Sequence, residues 1–309
     1  MGAADLVPGV SGGTIAFIAG IYEELIYSIK KISGEVLKLV LQLKIKEAIK
    51  ETPLGFLVPL FLGVASAFLF LSRGLAYLLE AHPVYLWSLF FGLILASVWV
   101  VKKRVVTWDW WDIGVFAISA IASYLLVGLV PTHTPSTYAF MFLTGAIAIC
   151  AMILPGVSGS FLLLVMGKYE QILTALVERD IATLALVGLG AVVGLSVFSR
   201  IVSYLFERYH DVVVAVLTGF MVGSLRKVWP WKEIITTRIN SEGHVVPVVE
   251  RNILPDSYGS EFLLSIGLAV IGAVLILRLD KLHVVDEHTE DVDPELAKKH
   301  ARALKGQKH

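Results

Sequence analysis

The sequence predicts an all-α polytopic membrane protein of two inverted-topology repeats, each a re-entrant helical hairpin plus about three transmembrane helices. Three observations carry that expectation. The 309-residue chain is 56% hydrophobic and only 17% charged, with a mean hydropathy of +0.76, where a soluble domain is about one quarter charged. Its apolar residues come in long runs rather than amphipathic stripes. And one segment is written twice: LVPGVSGGTIAFIAGIYEELI over 6–26 and ILPGVSGSFLLLVMGKYEQIL over 153–173.

The copies align from Pro8 onto Pro155, an offset of 147 that holds through Gly20/Gly167, Tyr22/Tyr169 and Glu23/Glu170. Each puts helix-breaking residues inside an apolar stretch. In a membrane, broken backbone survives only where protein or water satisfies its polar groups. Paired interruptions in two halves are the best sequence pointer to a transporter's binding site. The segments at about 3–29 and 138–176 are therefore expected to be re-entrant hairpins.

Six spans are expected at 54–79, 84–101, 112–130, 182–206, 212–228 and 260–279, the third and fifth being short or diluted by small residues. A second repeat lies behind the motifs. Ser72-Arg73 aligns with Ser199-Arg200, Tyr77 with Tyr204, Glu80 with Glu207, Gly63 with Gly190, Gly92 with Gly219 and Ser97 with Ser224, at an offset of 127. Matches at fixed offsets over such length indicate internal duplication. The first half's extra residues are the lysine-rich stretch 30–52. The repeats are 1–130 and 131–280, followed by a charged, solvated tail, 281–309, with a short helix near 293–305.

Lysines in 30–52 and Lys102, Lys103 and Arg104 place those loops in the cytoplasm. The connection 131–137 has no Lys or Arg and falls outside, as does the loop 229–259, while 207–211 and the tail are cytoplasmic. Three crossings per half then insert the second half upside down. Lys232, Arg238 and Arg251 in the outside loop run against the rule, which its length weakens. Trp99, Trp108, Trp110 and Trp111 flank the basic loop as interfacial anchors. The first segment carries the repeated motif, so it is expected in the folded protein and not as a cleaved leader. The lone Cys150 forms no internal disulfide. Zero net charge gives no reason to expect nucleic-acid binding.

GAADLVPGVSGGTIAFIAGIYEELI and its partner CAMILPGVSGSFLLLVMGKYEQIL resemble the polyprenyl-phosphate transporter family, formerly a domain of unknown function, over about residues 1–280. The resemblance implies a multi-pass protein of a bacterial or archaeal cytoplasmic membrane. It implies translocation of undecaprenyl phosphate, or a related polyprenyl phosphate, inward for lipid-carrier recycling in cell-envelope biogenesis.

The motif chemistry is read from the residues. After each break a helix is expected to begin, at about Thr14 and Phe161. Free N–H groups and the positive dipole end favour an anion. Glycine admits close approach, and Ser11, Thr14, Ser158 and Ser160 add hydroxyls. The candidate substrate site is Ser11, Gly12, Gly13 and Thr14 facing Ser158, Gly159 and Ser160, with Arg73 and Arg200 compensating the phosphate. An intramembrane arginine is expensive, usually functional, and suited to phosphate. The bland readings stay open: Gly, Ser and Pro for tight packing and capping, and arginines that snorkel or pair with a carboxylate. Glu23 and Glu170 are candidates for pairing with Arg73 and Arg200 or for carrying a coupling proton, or they simply end the hairpins. Asp5, aligned with Met152, reads as an N-terminal cap, with a functional carboxylate as the alternative, and Lys168, aligned with Ile21, as interfacial.

An enzyme is not expected. Gly-Val-Ser-Gly resembles the serine motif of rhomboid intramembrane proteases, but a serine nucleophile needs a base within reach. His82, His133, His210, His244, His283, His288, His300 and His309 all fall in predicted loops, helix ends or the tail. A lipid phosphatase would want a histidine nucleophile or clustered carboxylates, and the sequence offers neither. No cofactor and no metal is expected. The alternative is a small-anion or ion-coupled carrier of the same architecture; a lipid carrier needs a cleft open sideways to the bilayer, a small-anion carrier a closed aqueous path. The coupling ion (proton, sodium or none) and the oligomeric state are left open.

Overall fold

Serine and glycine decide where the first helices begin. In this computed structural model, which describes residues 1–6, 10–105, 107–132, 134–239, 245–255 and 257–286, α1 (Gly2–Asp5) is followed by α2 (Gly12–Ile18), capped by the Ser11 hydroxyl accepting from Gly13 N. Both motif helices start two residues before the expected positions. Ser11 and Ser158 hold the N-cap positions, so Gly12 and Gly159 enter the first turn, and of the two only the Ser11 hydroxyl makes a capping bond among the described residues.

The amphipathic α3 (Tyr22–Lys31) runs through a π-helical turn (Ile32–Val36) into α4 (Leu37–Leu41) and α5 (Ile45–Glu51). Then come α6 (Leu54–Ala81), α7 (Pro83–Val101, Pro at the first helical position), a 3-10 turn (Lys102–Arg104) and α8 (Trp110–Leu126). In the second half α9 (Tyr138–Ile153) ends before Pro155-Gly156, and α10 (Gly159–Val165) ends at Gly167, whose φ of +65° suits glycine. α11 (Tyr169–Glu178) follows at 102° to α10, the bend of a broken span or of a re-entrant segment. α12 (Ile181–Arg208) and α13 (His210–Ser224) precede β1 (Lys232–Ile239), β2 (Val245–Asn252) and α14 (Ser260–Asp286). The β-hairpin, antiparallel with Lys232 opposite Asn252 and Glu233 opposite Arg251, corrects the all-α expectation for 229–259. The helix expected near 293–305 lies outside the described residues.

α6, α7, α8, α12, α13 and α14 fall on the six expected spans. Among the described residues four helices are long and apolar enough to cross a membrane by themselves: α6, α7 with its 3-10 turn, α12 and α14. α6 and α12, at 28 residues each, extend roughly 42 Å, beyond the roughly 30 Å of hydrocarbon. Their apolar side chains, such as Leu69 and Phe70 on α6, are largely exposed, as bilayer contact requires. α8 and α13 are shorter and lie against each other.

Small residues set the packing. A Cβ on Gly92 of α7 would run into the Ala269 carbonyl of α14; one on Gly219 of α13 would meet the Phe116 carbonyl of α8. Gly190 of α12 is pressed against the Phe142 carbonyl of α9, as Gly2 of α1 is against Val64 of α6. The buried core gathers Phe17, Tyr22 and Ile26 with Ile94 and Val101 of α7 and Val214 and Met221 of α13. The first motif thus sits inside the protein.

Candidate functional site

The two motif segments meet. Ser11 Oγ donates to the Met152 carbonyl at 2.8 Å, and the Gly156 amide donates to Thr14 Oγ1, also at 2.8 Å. Gly13 lies so close to the Ile153 carbonyl that no Cβ would fit. The first tip is therefore packed on the chain that enters the second.

The tips differ in what they leave open. Ser11, Gly12, Gly13 and Thr14 are all buried. The Gly12 amide donates to Asp5 Oδ1 at 2.7 Å, so Asp5 caps α2 as expected and puts a carboxylate where an anion would bind. Around α10, Gly159 is buried, Ser158 half-buried and Ser160 exposed. Ser158 Oγ and Ser160 Oγ lie 2.9 Å apart and, among the described residues, have no other side-chain partner. The first amides of α10 have no acceptor within their own helix.

Both motif ends are clasped. Arg104 donates to the Ile18 carbonyl at the end of α2. At the end of α10, Val165 O accepts from Thr132 N at 2.9 Å and Met166 O from the Thr134 hydroxyl. Lys168 is buried in the protein. Its ammonium donates to Thr134 O, Ser136 Oγ and Gln171 Oε1 at 3.1, 2.8 and 3.0 Å. Sequence reasoning missed this clasp. Its one visible signal was a lysine in an apolar hairpin.

The arginines stand apart from the tips. Arg73 and Arg200 are each the twentieth residue of a 28-residue helix, and both are exposed. Arg200 donates to the Ser33 carbonyl at 3.2 Å; Arg73 has no hydrogen bond or ion pair among the described residues. Neither is paired with Glu23 or Glu170. Glu23 Oε1 lies 3.3 Å from His210 Nε2, and His210 Nδ1 lies 3.2 Å from Asp211. Glu170 is exposed at the start of α11.

Beside the second tip runs an apolar cleft of about 310 Å³, lined by Leu126, Ile147, Leu154, Val157, Leu162 and Phe220. Val157 adjoins Ser158, so hydroxyls and apolar wall are contiguous. Among the described residues no cluster of His, Cys, Asp or Glu could hold a metal ion.

A family described as undecaprenyl phosphate translocase-like matches residues 1–246. The chain is 42% identical over 292 residues to a polyprenyl-phosphate transporter of Vibrio cholerae serotype O1, covering 91% of this chain and 93% of that one. It is 32% identical over 249 residues to a polyprenyl-phosphate transporter of Staphylococcus aureus, covering 74% of this chain and 83% of that one. No solved structure matches the chain. A match over most of the length, reaching both tips, assigns the chain to the undecaprenyl phosphate translocase-like family.

Proposed function

We propose that this protein carries undecaprenyl phosphate, or a related polyprenyl phosphate, across the cytoplasmic membrane of a bacterium or archaeon. The observation that carries the reading is a hydroxyl-lined helix start that opens beside an apolar cleft. The phosphate meets Ser158, Gly159 and Ser160 and the positive end of α10. The prenyl chain lies along Val157, Leu162 and Phe220 and stays in an apolar environment throughout, since it gains nothing by leaving hydrocarbon. The same cleft favours a lipid over a small soluble anion. The paired serines lack a histidine or carboxylate partner among the described residues, which supports carriage over hydrolysis.

The halves act as inverted repeats. α7 packs on α14 and α13 on α8, a reciprocal exchange between equivalent helices, with Gly92 and Gly219 at equivalent contacts. The hydrogen bonds from 132–134 to the end of α10 support a re-entrant second hairpin, entering and leaving on the side opposite Lys102–Arg104. Parting the tips breaks the Ser11–Met152 and Thr14–Gly156 bonds, frees Ser11, Gly12, Gly13 and Thr14, and passes the phosphate across. Charge compensation by Arg73 and Arg200 requires both side chains to swing in towards the tips during that step.

The test is translocation of labelled undecaprenyl phosphate in proteoliposomes by the native protein and by Arg73→Ala and Arg200→Ala. Each substitution is expected to slow transport severely while leaving the fold intact. Native rates from both variants would remove the arginines from the mechanism. No translocation by folded native protein would move the assignment to a small anion.

A further inference from the structure

A second polar cavity lies at the end of the bundle away from Lys102–Arg104. It is lined by Val127 and Gly128 after α8, Phe161 of α10, Arg226 and Lys227 after α13, and Lys232 and Glu250 of the β-hairpin. Lys227 Nζ and Lys232 Nζ lie 2.9 and 3.3 Å from the same Glu250 oxygen, Oε2. Arg226 has only a neutral acceptor, the Tyr124 carbonyl at 2.9 Å, and lies over the Tyr124 ring. Two lysines thus share one carboxylate, and Arg226 lines the same cavity with no ion pair among the described residues. The remaining ion pair of this hairpin among the described residues, Arg251–Glu233, is exposed and balanced.

One of these cations is enclosed. The Lys232 side chain is only 7% exposed and lies 4.2 Å from the Trp87 ring centroid. Burial pushes its ammonium down to about 8 in spite of Glu250. Uncompensated buried charge is costly unless a partner arrives. These cations also stand on the face where the lysine–arginine rule expects few. The cavity adjoins the apolar cleft: Val127 and Phe161 line the one, and their chain neighbours Leu126 and Leu162 line the other. A charged pocket sharing walls with an apolar cleft fits an amphiphile with a compact anionic head.

We propose that Arg226, Lys227 and Lys232 form a reception site for a phosphate monoester, taking the head group of the carrier lipid on the outer face before it reaches Ser158 and Ser160. Glu250 is the resident anion that the phosphate partly replaces. This rests on the lipid-carrier reading of the chain and adds a loading step to it. Free phosphate shares the chemistry and is the other source of such a ligand.

The experiment is uptake of labelled undecaprenyl phosphate into proteoliposomes across a range of lipid mole fractions. R226Q/K227Q keeps the Lys232–Glu250 pair. It is expected to raise the half-saturating fraction about tenfold, with a smaller change in maximal rate, the loss of about one charge-assisted hydrogen bond. E250Q removes the competing carboxylate and is expected to lower the half-saturating fraction. Ser158→Ala with Ser160→Ala, which removes tip hydroxyls and no charge, is expected to act on maximal rate instead, so failure of the tip and failure of this site read differently. Inorganic phosphate added outside separates the sources. Competition in the native protein that R226Q/K227Q abolishes assigns the pocket to free phosphate as well; a shifted lipid dependence without competition assigns it to the lipid alone. An unchanged half-saturating fraction in both R226Q/K227Q and E250Q overturns the proposal and leaves the cations as anchors of the β-hairpin. Should R226Q/K227Q not fold, an unchanged E250Q alone overturns it.

Discussion

The first and second tips share a Pro-Gly-Val-Ser-Gly sequence yet meet the protein in opposite ways. Ser11 and Thr14 are 3% and 0% exposed, and their hydroxyls are spent on the Met152 carbonyl and the Gly156 amide. Ser158 and Ser160 reach the surface beside the apolar cleft and bond only to each other. The first tip carries its own anion, Asp5; the second has Met152 in that place, 45% exposed. Both copies carry the same Pro-Gly-Val-Ser-Gly sequence. What differs is the partner of the hydroxyls: the protein satisfies those of the first copy, and those of the second face each other among the described residues.

The largest effect expected from this difference is at Gly13. A methyl added there would run into the Ile153 carbonyl, backbone against backbone, so the tips must separate. Gly13→Ala is expected to stop lipid transport and lower stability by about 1–3 kcal/mol. Gly12→Ala meets only the Asp5 carboxylate, the end of a side chain that can move, and should cost less. Thermal unfolding in detergent with a transport assay checks both. Equal damage from the two would mean that the tip contact is not what holds the first motif.

The second effect separates structure from binding. Thr14→Val keeps the shape and leaves the buried Gly156 amide without an acceptor, a loss of about 1–3 kcal/mol of stability. Ser158→Ala with Ser160→Ala removes hydroxyls that reach the surface, so stability should move by less than about 0.5 kcal/mol. Transport by the double variant should nevertheless fall about tenfold or more. If the serine pair destabilises and Thr14→Val does not, the roles of the tips are reversed.

How far the sequence reveals this is uneven. The four long apolar helices, α6, α7, α12 and α14, were legible because apolar length is a property of the chain alone. α8 and α13 read weakly for a physical reason: Gly219 and Gly223 press one against the other, so small residues replace lipid-facing bulk. The β-hairpin was legible in principle from KEIITTRI and VVPVVERN, two β-branched runs about a short polar turn, but a long loop between spans hid it. The contacts of the motif residues were not legible. Nothing local says that Ser11 bonds to residue 152, that Lys168 is buried among three neutral acceptors, or that Arg200 lies on an exposed face and bonds to Ser33. Those are tertiary facts, decided by which helix faces which.

The smallest effect is at Asp5, where the second copy has the uncharged Met152. Asp5→Asn keeps an oxygen that accepts from Gly12 N, so the cap survives and stability should change by a few tenths of a kcal/mol. What goes is the negative charge at the start of α2, which opposes a phosphate arriving at the first tip. The half-saturating lipid fraction should fall by about twofold to fivefold, the scale of a single dipole-end charge of up to about 1 kcal/mol. Met152→Asp, which gives the second tip the first tip's carboxylate, should raise it. Opposite shifts from the two would show that the carboxylate is what closes one tip and leaves the other free. If both variants bind lipid as the native protein does, the closure belongs to packing at Gly13 and Thr14, and Asp5 is a helix cap with no part in the exchange.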